Sequence, residues 1–138
     1  MENREIYITE FDLERLNNLI INSYNTNKDL KPYLDNLISE LKRAHIVLPK
    51  EIPPDVVTMN SRVCILDMEN DEESEYTLVF PDNADLVNNK ISVLAPIGTA
   101  ILGYRVGDII QWNVPDGIRK LKMVRISFQP EASGNFDL

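Results

Sequence analysis

Apolar residues recur every three or four positions in the first third of the chain, the spacing of a helix that buries one face. The first stripe predicts a helix over residues 10–24 with Thr9 as its N-cap. After a polar break, a second stripe predicts a helix over residues 30–45, with Asp29 as its cap and Pro32 in its first turn. The two helices are expected to fold back on each other as an antiparallel hairpin or short coiled coil. The stripes consist of Leu13, Leu16, Leu19, Ile20 and Tyr24, and of Leu30, Leu34, Leu37, Leu41 and Ala44.

Beyond residue 48 the pattern changes to alternation and to short apolar runs rich in β-branched residues, which is typical of strands. Prolines at 49, 53 and 54 predict a stiff linker over residues 49–55, because proline lacks an N–H and favours extended backbone before it. The chain is therefore divided into a helical hairpin (1–48), the linker, and a second domain (56–138). Strands are predicted at residues 56–59, 62–66, 76–80, 91–94, 108–114 and 121–128.

One short helix is predicted over residues 96–102, because Pro96 suits a first helical position and Gly103 can end the helix. Residues 115–117, Pro-Asp-Gly, predict a turn between the last two strands. The expected fold class is α+β: a two-helix hairpin followed by a small antiparallel sheet with one short helix.

The composition narrows the range of functions. Among 138 residues there are 14 lysines and arginines against 22 acids, a formal charge of -8, which disfavours direct nucleic-acid binding. Six acids fall within residues 67–75, which suits an exposed hairpin tip. The most apolar stretch, residues 91–106, is interrupted by proline and glycine, so no membrane span is expected. A single cysteine excludes an internal disulfide, and a cytoplasmic location is expected.

No catalytic or metal-binding pattern stands out. His45 is the only histidine and falls on the predicted second helix, without a nucleophile motif nearby. Cys64 lies among apolar neighbours in a predicted strand, which favours a buried structural thiol with a raised pKa. No glycine-rich phosphate-binding motif is present, so the chain is expected to be no enzyme and to need no metal or cofactor.

The basic cluster at residues 119–125 is the only concentration of positive charge. Strand alternation is expected to put Arg119 and Arg125 on one face with Leu121 and Met123. The cluster suits either a solvated face or a contact patch for an acidic partner, and the sequence leaves both open. It consists of Arg119, Lys120, Lys122 and Arg125.

Residues 56–128 resemble the C-terminal domain of the bacterial Gre transcript-cleavage factors. The chain is similar over nearly its whole length to the Rnk family, named for regulation of nucleoside diphosphate kinase. The Gre-like stretches are Ser61-Arg62-Val63, Tyr76-Thr77-Leu78-Val79, Ala84-Asp85, Ile91-Ser92-Val93, Ala95-Pro96-Ile97-Gly98, Leu102-Gly103, Gly107-Asp108 and Pro115-Asp116-Gly117. The Rnk-like stretches are residues 54–63, residues 95–98 and the tail Gln129-Pro130-Glu131-Ala132.

The resemblance implies an FKBP-like domain that docks on RNA polymerase near its secondary channel. The docking loop maps onto Ala95, Pro96 and Ile97, with Ala95 replacing the serine of Gre factors, and the loop at Asp85 maps near the same face. Pro96 also has a simpler interpretation as a helix start.

The predicted hairpin tip departs from the Gre pattern. Gre factors present two acidic residues there, which complete magnesium coordination in the polymerase active site. Here residues 25–31 hold one acid, Asp29, flanked by Lys28 and Lys31, on a shorter hairpin. We therefore expect a non-enzymatic regulator that binds RNA polymerase without stimulating transcript cleavage.

Two other functions stay open at this point. The family name points to nucleoside diphosphate kinase or another metabolic enzyme as a direct or indirect partner. FKBP-like folds also include prolyl isomerases, but that activity needs an aromatic-lined pocket, and fold alone does not give function. The aromatic residues available are scattered along the chain: Tyr76, Phe80, Tyr104, Trp112 and Phe128.

Overall fold

The fold was analysed in a computed structural model, which describes residues 5–114, 117–136 and 138. Its secondary structure is α+β. The helices and strands are β1 (Tyr7–Thr9), α1 (Glu10–Tyr24), α2 (Lys31–Lys42), β2 (His45–Val47), β3 (Arg62–Asp67), β4 (Glu72–Val79), β5 (Lys90–Ser92), α3 (Pro96–Ile101), β6 (Ile109–Val114) and β7 (Gly117–Phe128).

The main sheet has five strands in the order β5-β4-β3-β7-β6. It is mixed, because β5 runs parallel to β4 while the other neighbours are antiparallel. The prediction of an antiparallel sheet was therefore wrong at β5. A separate two-stranded ribbon pairs β1 with β2 in parallel. Within the described residues, no helix is long and apolar enough to cross a membrane.

Helix α1 has the predicted bounds, and the Thr9 side chain accepts the Asp12 N–H as an N-cap. The second helix is shorter than predicted and ends at Lys42. Asp29 does not cap it: Asn27 accepts the Asp29 N–H instead, at the start of a 3-10 turn over Lys28–Leu30.

His45 lies on β2 and not on the second helix, which corrects the prediction. Residues 45–47 pair in parallel with residues 7–9, far away in the sequence, and this tertiary pairing overrides the local helical pattern. The His45 ring stacks on Tyr7 with centroids 5.2 Å apart, and its Nε2 lies 3.6 Å from a Glu5 carboxylate oxygen.

Five of the six predicted strands are present with shifted ends, and the short helix α3 begins at Pro96 as predicted. Residues 56–59 form no strand. They are buried, and Val57 bonds to the loop after α3: its N–H donates to Tyr104 O at 2.9 Å, and its carbonyl accepts the Gly103 N–H at 2.8 Å. Residues 115 and 116 of the predicted turn lie outside the described residues, and Gly117 opens β7.

One hydrophobic cluster joins the helices to the sheet. Leu16 of α1 and Leu34 and Leu37 of α2 are fully buried in the same cluster as Val63 and Met123 of the sheet. Most of the remaining residues in the two predicted stripes are half-buried against it. The helical segment therefore buries its apolar face on the sheet domain.

Candidate functional site

The loop that enters α3 is held by hydrogen bonds on both sides. The Ala95 N–H donates to Ser92 O, and the Ala95 carbonyl accepts the Thr99 N–H, both at 3.0 Å. Ala95 is the N-cap of α3, and its methyl group makes no capping bond. Pro96 is exposed, whereas Ile97 packs against the core. These hydrogen bonds fix the backbone of the loop, which exposes the Pro96 side chain to solvent.

The loop at Asp85 is an exposed turn that carries two apolar side chains. Asp85 exchanges two backbone hydrogen bonds with Lys90, and its carboxylate accepts the Asn88 side-chain amide at 2.7 Å. Leu86 is 80% exposed and Val87 is 92% exposed, more than any other large apolar residue described. The turn therefore offers apolar surface to a partner.

Strand β5 separates these two loops. Asp85 bonds to Lys90, the first residue of β5, and Ala95 bonds to Ser92, the last. Two residue steps of a strand rise about 7 Å. The loops therefore lie at opposite ends of a short edge strand, on one border of the sheet.

Two grooves lie beside the α3 entry. The first, which we call the acidic groove, has a volume of about 190 Å³ and includes Ile97 in its wall. The second, which we call the β6 groove, has a volume of about 300 Å³ and includes Pro96. The acidic groove is also lined by Ile65, Asp67, Glu72, Tyr76 and Leu121. The β6 groove lies between α2, α3 and β6.

The connection between α1 and α2 presents Lys28 and Asp29 to solvent. Asn27 accepts the Asp29 N–H at 3.0 Å, and the Lys31 ammonium lies over the Tyr24 ring at 5.8 Å. In the described part of the chain, no group of three or more His, Cys, Asp or Glu side chains could hold a metal ion. This connection thus brings one carboxylate, and two lysines, to the surface.

The turn between β3 and β4 is shorter than predicted, because β4 begins at Glu72. Two acids of the predicted acidic tip lie on these strands instead and pair with the basic cluster. Arg119 forms an ion pair with Asp67, and Arg125 lies 3.4 Å from Glu73. The pKa of Asp67 is lowered, first by a backbone N–H bond and further by Arg119. Much of the basic cluster therefore neutralises acids of the same sheet.

A β-bulge corrects the predicted facing of this cluster. Cys64 pairs with Arg125 and the next residue, Ile65, pairs with Met123, so one extra residue is inserted in β7. Paired residues share a face and successive residues alternate. Arg125 and Met123 therefore lie on opposite faces, not on one.

Cys64 is buried, and its Sγ donates a hydrogen bond to a Glu73 carboxylate oxygen at 3.1 Å. Burial raises the pKa of the thiol, and the bond to Glu73 raises it further. This confirms the predicted structural thiol, because the neutral form is poorly nucleophilic.

Comparison with known protein families gives a match for each of the two parts of the chain. Residues 42–128 match the family described as transcription elongation factor GreA/GreB, C-terminal, and residues 4–47 match the Rnk N-terminus. The regulator of nucleoside diphosphate kinase of Escherichia coli (strain K12) is 39% identical over 137 residues, 99% of this chain and 98% of that protein. The chain belongs to the Rnk family.

Gre proteins resemble the Rnk-family chain more locally. Transcription elongation factor GreA of Clostridium beijerinckii is 45% identical over 87 residues, 63% of this chain and 54% of GreA. A solved structure of a GreA/GreB factor from Nitrosomonas europaea is 41% identical, covers 91% of this chain and 100% of that one, and has a TM-score of 0.74. Both loops at the ends of β5 fall inside the GreA/GreB match, and the α1–α2 connection falls inside the Rnk N-terminal match.

A buried polar junction ties these two halves of the Rnk-family chain together. The Asp12 side chain, 1% exposed, accepts the Met59 N–H at 3.0 Å and an Arg15 N–H at 2.6 Å. The Thr58 hydroxyl donates to Glu131 at 2.8 Å. Burial raises the pKa of both Asp12 and Glu131.

The tail residue Gln129 extends this junction to the linker. Its side-chain amide donates to the carbonyls of Pro53 and Val56 at 2.8 and 2.7 Å. The Rnk-like stretches 54–63 and 129–132 therefore meet in space.

Sequence reasoning missed two groups at these sites. Leu86 and Val87 could have been found as adjacent apolar residues in a segment that carries no strand or helix pattern. The burial of Asp12 could not have been predicted from the sequence, because an acid in the first turn of a helix is ordinarily solvated. Its burial depends on Met59, 47 residues away.

Proposed function

We propose that this Rnk-family protein is a non-enzymatic regulator that binds RNA polymerase near its secondary channel and does not stimulate transcript cleavage. The observation that carries the proposal is the GreA/GreB match over residues 42–128, which includes the complete α3 entry loop. The proposed contact residues are Asp85, Ala95, Pro96 and Ile97.

The geometry of the two loops supports this contact. Pro96 is exposed on a hydrogen-bonded frame, and Leu86 and Val87 add apolar surface at the other end of β5. Exposed apolar side chains on a fixed border are the kind of surface that contributes most to binding when a partner covers it. We include Leu86 and Val87 in the proposed contact.

The α1–α2 connection supports the proposed lack of cleavage stimulation. Cleavage factors need hard oxygen ligands at the end of a long probe. Helix α2 has 12 residues, which corresponds to about 18 Å of helix. It follows a connection that holds one acid, Asp29, between Lys28 and Lys31.

Binding to core RNA polymerase tests the docking surface. We expect the Pro96→Asp variant to weaken binding at least about tenfold, because a desolvated carboxylate replaces an apolar contact. Pro32→Asp is the matched control, since Pro32 is also exposed in the first turn of a helix. Equal binding by wild type and Pro96→Asp would reject this loop as the contact.

A backtracked elongation complex tests the absence of cleavage. Purified protein should leave the RNA uncut, while GreA added to the same complex should shorten it. RNA shortening by this protein alone would overturn that part of the proposal.

A second candidate is regulation of nucleoside diphosphate kinase, favoured by the name of the E. coli relative. The association could be direct or indirect. Affinity purification that recovers the kinase without polymerase would favour a direct partnership and count against the leading proposal.

Prolyl isomerase activity is disfavoured by the packing of the aromatic residues. Tyr76 lines the acidic groove, Tyr104 lines the β6 groove, and Phe128 lies at other depressions. These three side chains therefore line separate depressions of the described surface. A proline-isomerisation assay on a short peptide should give no signal.

We also propose finer features of the architecture. Helices α1 and α2 are taken as an antiparallel hairpin, supported by the bond from Tyr24 to Asp35 at 3.1 Å across their connection. The sheet with α3 is taken as an FKBP-like domain, and the division at residues 49–55 as the domain boundary. The proposed setting is the cytoplasm, with neither direct nucleic-acid binding nor a membrane partner.

A further inference from the structure

The five-stranded sheet has two edges, and the described residues pair with the outer side of one of them. The outer edge of β5 is paired by Asp85, which exchanges backbone hydrogen bonds with Lys90 at 2.9 Å in each direction. Strand β5 is also only three residues long and carries a lysine. Short length, a lysine and a covering loop are the usual protections of an edge strand.

Strand β6 at the other edge has none of these protections in its sequence. It has six residues, Ile-Ile-Gln-Trp-Asn-Val, with neither charge nor proline. These residue types favour strand pairing. An unprotected edge of this composition is a template for a further strand.

The hydrogen-bond register shows which groups of β6 point outward. Met123 exchanges its backbone bonds with Gly107 and Asp108. Because bonded and non-bonded pairs alternate in an antiparallel ladder, Ile110 faces β7. The N–H and C=O groups of Ile109 and Gln111 therefore point away from it, and no described residue bonds to them.

The β6 groove runs along this free edge. Ile110 and Gln111 line it from β6, although their side chains lie on opposite faces of the sheet. Leu94, Pro96 and Ala100 supply apolar surface from the α3 side. The groove therefore opens beside β6 at Ile110 and Gln111, and its wall on the α3 side is partly apolar.

Some polar groups of the β6 groove are already used: the Tyr104 hydroxyl accepts from Arg43, and the Thr99 hydroxyl donates to the Val93 carbonyl. Others are uncharged and available to a ligand. Among the described residues, the side chains of Asn36, Ser39 and Gln111 make no hydrogen bond to another residue. The one charged lining residue, Glu40, is paired with Arg43 at 3.1 Å. On a protein of charge -8, this groove is locally neutral. A charged segment would lose its hydration here without gaining a counter-charge.

We propose that the free edge of β6 is a strand-addition site for an extended, uncharged segment of a partner protein. The segment pairs its backbone with Ile109 and Gln111, and its alternate side chains enter the β6 groove. The amides of Asn36 and Gln111 satisfy its remaining polar groups. The site does not depend on RNA polymerase binding, so it can be tested independently of the proposed function.

Nuclear magnetic resonance on the ¹⁵N-labelled full chain tests the site. The probe is the peptide acetyl-Ser-Val-Thr-Val-Thr-Ser-amide, and its control is the same peptide N-methylated at the second valine, which cannot pair at that position. We expect saturable shifts at the amides of Ile109, Gln111, Asn36 and Ser39 with the first peptide. The N-methylated peptide should bind at least about tenfold more weakly, since a strand hydrogen bond is lost.

Variants at Gln111 separate backbone pairing from side-chain contact. Gln111→Pro removes an outward N–H that does not bond to β7, so the fold is retained and peptide binding is lost. Gln111→Thr keeps the N–H and loses only the side-chain amide, so it should bind the peptide more tightly than the proline variant. If the proline variant is misfolded, Gln111→Lys provides the test, because an added charge weakens binding of a neutral segment.

Two results would overturn the proposal. One is the absence of shifts along β6, or equal shifts with both peptides. The other is a dimer in sedimentation equilibrium that Gln111→Lys abolishes, which would assign this edge to a second copy of the chain.

Discussion

Asp12 makes three hydrogen bonds, and the one from the Met59 N–H links the helical segment to the loop before β3. Its backbone N–H donates to the Thr9 hydroxyl, which caps the helix. Its carboxylate accepts the Met59 N–H and an N–H of the Arg15 guanidinium. Asp12→Ala leaves the Met59 N–H and part of the Arg15 charge without a buried partner. We expect it to lower the free energy of unfolding by about 2 to 3 kcal/mol.

Urea unfolding measures this loss. Glu14→Ala, at an exposed position of the same helix, is the control and should change stability by less than about 0.5 kcal/mol. Equal unfolding midpoints for Asp12→Ala and Glu14→Ala would contradict a structural role for the junction.

The same junction makes stability depend on pH. Burial raises the folded-state pKa of Asp12 above 3.8 and that of Glu131 above 4.5. The folded protein therefore binds protons more tightly than the unfolded chain, so these groups favour folding at low pH. Their contribution is lost as the pH rises through the raised values.

Glu131→Gln should reduce this dependence, since the amide oxygen can still accept the Thr58 hydroxyl. We expect a smaller loss of stability in the variant than in wild type as the pH is raised from 4.5, the ordinary pKa of the Glu131 carboxyl, to neutrality. Glu14→Gln controls for net charge. Parallel pH profiles for wild type and Glu131→Gln would show that burial of Glu131 has no such effect.

Cys64 should resist thiol reagents in the folded protein. Its raised pKa and burial keep it protonated and covered. We expect modification by a disulfide reagent at mildly alkaline pH to be slow for the native protein and fast in denaturant. Rapid modification of the native protein would contradict the structural role of this thiol.

At the scale of single elements, Gly98 explains how α3 fits its neighbour. A Cβ at this position would overlap the Ser92 carbonyl oxygen at the end of β5. Gly98→Ala therefore forces a backbone shift and should cost about 1 to 3 kcal/mol. Thermal unfolding against the control Ala100→Ser, in the same helix, measures it; equal melting temperatures would disprove the close contact.

Elements with strong local patterns were predictable from the sequence. Helix α1 and strand β3 have one-sided or buried apolar patterns and recognisable ends, so their positions were predicted closely. Strands β1 and β2 were not predicted, because each has three residues and pairs with a distant segment. The predicted orientation of Arg125 was wrong because a β-bulge interrupts the alternation of side chains along β7. The local sequence of β7 gives no sign of this bulge.

The site was predicted unevenly for the same reason. The α3 entry loop was proposed from the resemblance to Gre factors, and its role in binding stays a prediction; Pro96 is exposed there. The junction of Asp12 with Met59 and the free edge of β6 depend on which segments meet in space. Periodicity along the chain contains no such information.

At the scale of the whole molecule, the Rnk-family chain combines a GreA/GreB-type C-terminal region with a short helical segment packed on the same core. The E. coli relative aligns over 99% of this chain and 98% of its own length, so that protein contains both parts. Under the proposed function, the molecule occupies the Gre docking position and presents an end without the paired acids that cleavage requires.

Competition with GreA for core RNA polymerase tests this account most directly. Labelled protein bound to polymerase should be displaced by unlabelled GreA in a saturable manner. Pro96→Asp should bind at least about tenfold more weakly than wild type, and Pro32→Asp should compete like wild type. Binding that GreA does not displace, or no binding at concentrations where GreA saturates the polymerase, would contradict a shared docking site.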